Sequence, residues 1–206
     1  MQKTIPVKMQ GNRRFVLQPL NDTKTAYTDE AVNIIGLVDL SGSFTIEETS
    51  FPADDDPEFM VATGAPIGTL TGNMRGFDIE KYPLIYPAMS GTNGVWVGGD
   101  LPVRRFGFTF DEQVEEEGVK SVNRYVLFNC RATNLPDIAS ATISNSVTEP
   151  RVIPLAITVM PIFYDRADGS RGRLIYAIFN SVKHPTMFAQ FADGLVMPTE
   201  SMVEPV

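Results

Sequence analysis

Two long apolar runs dominate the pattern of hydrophobic and polar positions in the C-terminal half of the chain. They are Val152–Tyr164 and Leu174–Val182, and both are rich in β-branched and aromatic residues. The segment between them, Asp165–Arg173, contains Ala-Asp-Gly-Ser, in which Gly169 can adopt the positive φ that a tight turn needs. The pattern therefore predicts a β-hairpin.

Neither run has a polar face, whereas an ordinary antiparallel hairpin has one solvated side. Pro154 and Pro161 cannot donate hydrogen bonds to a sheet, so the first run is predicted to be an edge strand or to be bulged. Two interpretations stay open, since the strand is covered either within a sandwich of the same chain or by a neighbouring subunit. The residues of such an inter-subunit seam are Val152, Ile153, Leu155, Ile157 and Val159.

The rest of the chain divides into an arm, a β domain and a tail. Residues 1–14 are basic and contain few core-type side chains, so they are predicted to be an N-terminal arm. The β domain is predicted to cover residues 15–185, and residues 186–206 to form a C-terminal tail. Ser43–Arg75 is predicted to be a long hairpin excursion, with the proline-rich, acidic segment Phe51–Glu58 as its loop.

Alternation at Ser43–Thr49, with Phe44 and Ile46 on one face, predicts a half-buried strand. Gly76–Met89 shows helical spacing and has Asp78 as a suitable N-cap, but its prolines predict a short or partly 3₁₀ helix. Trp96, in a glycine-rich segment, is predicted to be a core anchor.

Val103–Val114 and Ser121–Thr133 are predicted to form a second long hairpin around Glu115-Glu116-Glu117-Gly118. Their side chains alternate between an apolar and a polar face. Two interpretations of the arginines on this hairpin stay open: a cationic band that faces acids of a neighbouring copy, or dispersed surface residues. These arginines are Arg104, Arg105, Arg124 and Arg131.

The composition is that of a globular, acidic protein. The 206 residues are 43% hydrophobic and 20% charged, the net charge is −8 and the pI is about 4.7. Proteins that grip nucleic acid normally present a basic surface, so tight DNA binding is disfavoured. No apolar run is long enough for a membrane span, and a single cysteine excludes an internal disulfide and fits folding in the cytosol.

No set of side chains predicts catalysis, a metal or a cofactor. The carboxylates lie in two loop runs, Asp54–Asp56 and Glu115–Glu117, which is typical of solvated acidic turns. A calcium loop at the first run lacks the required glycine and distal glutamate. Cys130 lies within a predicted strand and is expected to be a small core residue, while His184, the only histidine, lies in a turn.

The order of these elements resembles that of the major tail-tube proteins of long-tailed phages with non-contractile tails. The likeness covers about residues 32–182 and is one of layout, since this family has no invariant fingerprint. The segments that carry it are GSFTIEETSFPADDD, GTLTGNMRGFDIEKYPLIYPAM, RRFGFTFDEQVEEEGVKSVNRYVLFNCRATNLP and VIPLAITVMPIFY.

The resemblance implies two packed antiparallel sheets, a sandwich or half-barrel with one short flanking helix. It also implies six-membered rings stacked into a tube, a virion structure assembled from subunits made in the host cytoplasm. Genomic DNA would pass through without sequence-specific binding, and the implied partners are other copies and the tail terminator, distal tail and tape-measure proteins. Contacts between copies would involve Arg13, Arg14, Glu47, Glu48, Asp54, Asp55, Asp56, Arg104 and Arg105.

The resemblance does not assign the sheet that faces the lumen. The alternating pattern of the Val103–Thr133 hairpin favours that hairpin, with Glu112, Glu115, Glu116 and Glu117 as the lumen candidates. The alternatives are another virion β-protein, such as a tail terminator or a head-decoration protein, and a carbohydrate-binding β-sandwich. The last would use Trp96 with Tyr82 or Tyr86 as its aromatic platform.

Overall fold

The computed structural model describes residues 8–34, 37–46, 48–53, 56–75, 78–98, 100–101, 103–116, 118–136 and 152–203, and within them the protein is mainly antiparallel β, as predicted. The strands are β1 (Lys8–Leu20), β2 (Val32–Asn33), β3 (Leu37–Thr45), β4 (Glu48–Ala53), β5 (Asp56–Thr63), β6 (Ile67–Arg75), β7 (Ala88–Gly91), β8 (Gly94–Val97), β9 (Arg105–Glu116), β10 (Val119–Ala132), β11 (Val152–Val159), β12 (Ile162–Asp165), β13 (Arg171–Leu174) and β14 (Tyr176–Asn180). The helices are a 3₁₀ helix (Ile79–Leu84), α1 (Pro185–Gln190) and α2 (Glu200–Val203).

One eight-stranded sheet runs in the order β2-β1-β9-β10-β11-β6-β3, and β14 pairs with β10 beside β11. The strand β10 carries a bulge between Leu127 and Cys130, where its register with β9 shifts. Before the bulge β10 pairs with β14, and after it with β11. Because a bulge bends a strand, β10 divides the sheet into layer A (β3, β6, β11 and the end of β10) and layer B (β2, β1, β9, the start of β10 and β14).

The main core lies between the two layers. Layer A contributes Leu70, Met74 and the buried face of β11, and layer B contributes apolar residues of β1, β9 and β10. The 3₁₀ helix and the residues after it add Tyr82, Ile85 and Tyr86, so the tyrosines pack inside as expected. Asp78 caps this helix by accepting a hydrogen bond from the Glu80 N–H at 3.1 Å. The predicted sandwich with one short flanking helix is therefore present.

The C-terminal hairpin is much shorter than predicted. Only β12 and β13 pair with each other, around a turn in which Gly169 has φ 82°. The prediction that the two long runs pair was wrong, because β11 pairs with β6 over its whole length and β14 pairs with β10. The alternation of buried and exposed positions is also reset between β11 and β12, so that Ile162 is buried and Phe163 is exposed.

Pro154 lies where β11 has no neighbouring strand on its β10 side among the described residues. The pairing of β10 covers only the last three residues of β11. Further back, the side chain of Asn134 takes the place of a strand: its Nδ2 donates to the Pro154 carbonyl at 2.8 Å, and its Oδ1 accepts from the Ala156 N–H at 2.8 Å. The edge predicted from Pro154 is thus present only on the β10 side of β11, and only along its first half.

The excursion is one continuous hairpin. The strand β3 pairs with β6, and beyond them β4 pairs with β5. Residues 51–53 and 56–58 belong to these strands, so the predicted loop over Phe51–Glu58 was wrong there, and residues 54 and 55 lie outside the described part. The half-buried strand was also wrong, because Phe44 and Ile46 both remain exposed.

Both predicted terminal segments contribute to the fold. Residues 8–14 are part of β1, which pairs with β9 from Lys8 opposite Glu115 to Leu20 opposite Arg105, so the predicted arm was wrong over these residues. At the other end, Phe191 and Leu195 are buried against layer B, so the predicted C-terminal tail packs onto the β domain at these positions.

Candidate self-assembly surface

The strand β3 ends the order of layer A, and among the described residues only β6 pairs with it. Which backbone groups of β3 point away from β6 can be worked out from the hydrogen bonds of β11, two strands away. The Ala156 N–H and C=O bond to Asn134 and Thr133, away from β6, so Ala156 and Thr71 form a non-hydrogen-bonded pair. Because the pattern alternates across an antiparallel sheet, Thr71 bonds to Ser41 instead. The backbone groups of Leu40, Gly42 and Phe44 therefore point outward from the edge.

This edge carries few of the features that prevent strands from pairing with other chains. Its sequence, LVDLSGSFT, contains no lysine and no proline. Apolar side chains lie exposed along the same hairpin: Val38 at a register shift, Ile46 just after β3 and Ile67 at the start of β6, with 51%, 58% and 43% of their surface accessible. An open, partly apolar edge of nine residues is a template for an added strand.

The outer face of layer A is polar, and none of the described residues covers it. Along β3, β6 and β11 its residues alternate with those that face the core, and its hydroxyl-bearing residues are exposed or half-buried. The members on these three strands are Asp39, Ser41, Ser43, Thr45, Ile67, Thr69, Thr71, Asn73, Val152, Pro154, Ala156 and Thr158. The exposed Arg131, opposite Thr158, adds one cation from the end of β10. Its one carboxylate, Asp39, accepts the Asn73 amide at 3.0 and 3.1 Å. We missed this face in the sequence, where the Thr-Gly alternation of GTLTGNMR was the available signal.

The outer face of layer B is covered. Asp111 and Arg124 lie opposite each other on β9 and β10 and form a buried bidentate pair, with both N···O distances at 2.7 Å. The ring and carbonyl of Phe188 lie over the guanidinium, the carbonyl at 2.7 Å from Nη1. Leu195 packs against Gly107 nearby, and its N–H donates to Gln18 Oε1 at 2.8 Å. Residues 185–203 are therefore a fixed cover for this face.

The predicted cationic band does not form as a unit, because Arg124 is buried in the pair just described. Arg105 is partly buried and donates to Asn129 Oδ1 at 3.1 Å; burial and the nearby charge of Arg131 lower the pKa of Arg105. Arg104 and Arg131 are exposed. Of the four arginines, two remain available to an acidic partner.

The other basic contact candidates lie in β1. Arg13 stands opposite Asp111 in the register of β1 and β9. Arg14 follows it at a register shift, with φ 54°, so the chain bends there.

The acidic contact candidates lie along the excursion. Glu48 begins β4 and is exposed, and Asp56 begins β5. Glu47, Asp54 and Asp55 lie outside the described residues.

The acidic lumen candidates are separated by the fold. Glu112 accepts a hydrogen bond from Tyr125 Oη at 3.0 Å inside a cavity. Glu115 stands opposite Lys8 on one neighbouring strand and Lys120 on the other. Glu116 pairs with Lys183 at 2.9 Å. Glu117 lies outside the described part of the chain.

The alternation on which this hairpin was favoured as the lumen wall does not produce a polar face at the base of the hairpin. The base of the hairpin is buried on both faces, because residues 185–203 cover the side opposite the core. The acids that remain at its tip are partly offset by the lysines around them.

The remaining candidates carry no arranged chemistry. Cys130 is fully buried, which raises the pKa of its thiol, and His184 Nδ1 accepts the Asn180 N–H at 3.2 Å. Trp96 was wrongly predicted to be a core anchor, since 63% of its surface is exposed. Within the ranges given above, no three His, Cys, Asp or Glu side chains are grouped to hold a metal, and no helix is long and apolar enough to cross a membrane.

Comparison with protein-family models gives no match, and comparison with curated protein sequences gives no significant one. The geometry of the sheet edge and of the two outer faces, together with the sequence pattern, therefore carries the functional interpretation.

Proposed function

We propose that this protein is a structural subunit that joins other copies edge to edge into rings, which stack into a hollow tube. In this proposal the tube is the tail tube of a long-tailed phage and conducts DNA out of the capsid. The observation that carries it is the open edge of β3, with outward backbone groups at Leu40, Gly42 and Phe44. The role is structural, and it requires no catalytic group.

The edge supports assembly for two physical reasons. Among the described residues, no strand pairs with its outward N–H and C=O groups, and an added strand would pair them in a regular ladder. The exposed apolar residues Val38, Ile46 and Ile67 would be removed from water at the same time. Pairing of β3 with a different edge of the next copy is a heterologous contact, which closes into a ring when the rotation between copies permits.

The passage for DNA belongs, in this proposal, to the outer face of layer A. Hydroxyl groups such as those of Thr69, Thr71 and Ser43 are costly to bury without partners, so this face remains wet when sheets join through their edges. Hydroxyls form exchangeable hydrogen bonds with phosphates but release no counterions, so they add little affinity for DNA. This assignment replaces the acidic residues of the β9–β10 hairpin as the wall of the passage.

The paired strands β4 and β5 extend the excursion beyond the main sheet. Together they lie past the ends of β3 and β6 and belong to a separate two-stranded sheet. We propose that this extension reaches the next copy or the next ring, the role expected of the excursion in tail tubes.

A substitution at Phe44 tests the edge. Phe44→Pro removes an outward N–H, whereas Phe44→Ala loses the same ring and keeps the donor, which makes it the matched control. We expect the wild type to form rings or tubes in negative-stain images, and Phe44→Ala to do so at a higher protein concentration because its ring is lost. We expect Phe44→Pro to remain as folded single subunits by light scattering. A wild type that is monomeric at high concentration, or normal tubes from Phe44→Pro, would sink the proposal.

The extension is tested by a shortened hairpin. Phe51 pairs with Met60, so replacing residues 52–59 by Asn-Gly leaves a two-residue turn of the type that suits a hairpin. We expect the shortened subunit to fold with an unchanged melting temperature but to form no stacked tubes. Tubes of normal length would show that this extension has no role in stacking.

One observation favours a second candidate, a carbohydrate-binding module. Trp96 is exposed and stands opposite Met89, which is also exposed, in the β7–β8 hairpin. Tyr82 and Tyr86 are buried, so neither can extend this platform. Glycan-array binding that disappears in Trp96→Ala, by a subunit that never assembles, would favour this candidate over the tube.

A further inference from the structure

A cavity of about 240 Å³ opens between the end of β3 and the β9–β10 hairpin. Four aromatic side chains from four different strands line it: Phe44, Phe110, Tyr125 and Tyr176. The rings of Phe110 and Tyr125 stack at 4.6 Å with an angle of 5° between their planes. Those of Phe44 and Tyr176 meet at 4.6 Å and 36°. The sequence pattern did not indicate this site, because its walls come together only through the pairing of distant strands.

One carboxylate, that of Glu112, also lines the cavity. Tyr125 Oη donates to Glu112 Oε2 at 3.0 Å. Burial, followed by the hydrogen bond to Glu112 and its charge, raises the pKa of Tyr125 to about 12. The phenol therefore remains a donor at neutral pH. Among the described residues, no cationic side chain pairs with Glu112 and no donor bonds to its Oε1 atom.

This combination of groups favours a cation. The faces of aromatic rings carry negative electrostatic potential and attract ammonium or guanidinium groups within about 6 Å of the ring centre. The carboxylate adds a charge-assisted hydrogen bond, which is stronger than a neutral one. A neutral ligand would leave the charge of the carboxylate without an opposite charge, and an anion would be repelled.

The position of the cavity identifies what carries the cation. Leu40, Gly42 and Phe44 line the cavity, and the same residues direct their backbone groups outward from β3. A strand added at this edge would place every second side chain on the side of the cavity, at intervals of about 6.8 Å. The mouth of the cavity is therefore continuous with the proposed assembly edge.

We infer that this cavity receives a lysine or arginine side chain from the copy that pairs with β3. The aromatic rings and Glu112 would then fix the register of the added strand, because only one position along it can place a cation in the cavity. The identity of the partner as a second copy rests on the proposed function, whereas the preference for a cation rests on the cavity alone.

A fluorine NMR titration tests the preference without requiring assembly. The full chain carries Val38→Lys, because a lysine at the edge opposes pairing with another copy. It is labelled with 3-fluorotyrosine and titrated with methylguanidinium. The control probe is N-methylurea, which has nearly the same shape and no charge. We expect saturable shifts at Tyr125 and Tyr176, at least about five-fold weaker binding in Glu112→Gln, and no comparable response to N-methylurea. The buried Tyr82 and Tyr86 are internal controls. Shifts that do not saturate, or equal responses to both probes, would overturn the inference.

A second experiment tests the partner. Glu112→Gln should raise the critical concentration for assembly at least about five-fold, and this concentration should then depend less on salt. Glu112→Lys should prevent assembly. Glu115→Lys, further along the same strand, lies outside the cavity and should assemble as the wild type does. Normal assembly of Glu112→Lys would show that no second copy inserts a cation there. A wild type that never assembles would instead refute the proposed function, and the NMR titration would still decide what the cavity binds.

Discussion

The two outer faces of the sandwich differ in what covers them. On layer B, residues 185–203 lie over the sheet and enclose an ion pair, Asp111 with Arg124, together with apolar side chains. On layer A, the corresponding face carries mainly hydroxyl and amide groups, and among the described residues nothing lies over it and only β6 pairs with its edge strand β3. Within the described part of the chain, one outer face is therefore covered and the other is open.

This difference indicates where stability and assembly reside. Where a covered face contains a buried ion pair, any substitution that removes one partner lowers the free energy of unfolding, because the other charge stays buried. An open polar face tolerates substitution in the single subunit, because its side chains already contact water. Changes under the cover of layer B should therefore alter unfolding, whereas changes at the edge of β3 should alter assembly.

The largest effect is expected from breaking the buried pair. Arg124→Met leaves the Asp111 carboxylate buried without its partner and should lower the free energy of unfolding by about 3–5 kcal/mol. The double variant Arg124→Met with Asp111→Leu removes both charges and should recover most of that loss. Urea denaturation followed by circular dichroism measures both. A loss below about 1 kcal/mol in the single variant would mean that the pair does not secure the cover.

A smaller loss is expected from truncating the cover itself. Leu195→Ala removes a buried side chain from its contact with layer B and should cost about 2–3 kcal/mol. Ile67→Ala, at the partly exposed end of layer A, should cost less than about 1 kcal/mol in the same measurement. Equal losses would contradict the contrast between the two faces.

The open face should become enclosed on assembly. Cys130 is buried and its thiol is protonated, so it provides an unreactive background for Thr71→Cys. In assembled tubes we expect the introduced thiol to react with a small methanethiosulfonate at the rate seen in the subunit. A maleimide carried on a large polymer should react at least about ten-fold more slowly than in the subunit, because reactivity follows access. Equal access by the large reagent would place this face on the outside of the tube.

The smallest effect concerns Tyr125, whose neighbour Arg124 points to the opposite, covered face. Burial and Glu112 raise the folded-state pKa of Tyr125 to about 12 from 10.0, so its contribution to stability is complete below pH 10 and is lost between pH 10 and about 12. Burial also raises the pKa of Tyr27, so ultraviolet titration should show late phenolate absorbance of which Tyr125→Phe removes one part. Glu112→Gln should move the transition of Tyr125 to lower pH, although burial keeps it above that of an exposed tyrosine. An unchanged transition in Glu112→Gln would rule out the coupling.

Local patterns predicted the elements that depend on local rules. Gly169 marked a turn because a positive φ is easily adopted by glycine, and Asp78 marked a helix start because its side chain caps a free N–H. The alternation of the β9 and β10 segments predicted their hairpin. Cys130 was correctly predicted to be buried from its place within an apolar strand.

Predictions that depended on distant partners were wrong or incomplete. The long C-terminal runs pair with β6 and β10 rather than with each other, and Arg124 is buried because Phe188, far along the chain, lies over it. Trp96 is exposed although its type favours burial. Such outcomes are set by which segments meet in space, and sequence spacing does not determine that.

The order of residues was enough to predict an acidic, mainly antiparallel β protein. Alternation and turn residues are local, so they can be recognised without a structure. The packing of the folded chain then settled which face its own C-terminal residues cover and which edge stays open. That choice depends on strand order and on the bulge in β10, because these determine which side chains lie beside a neighbour and which lie beside water.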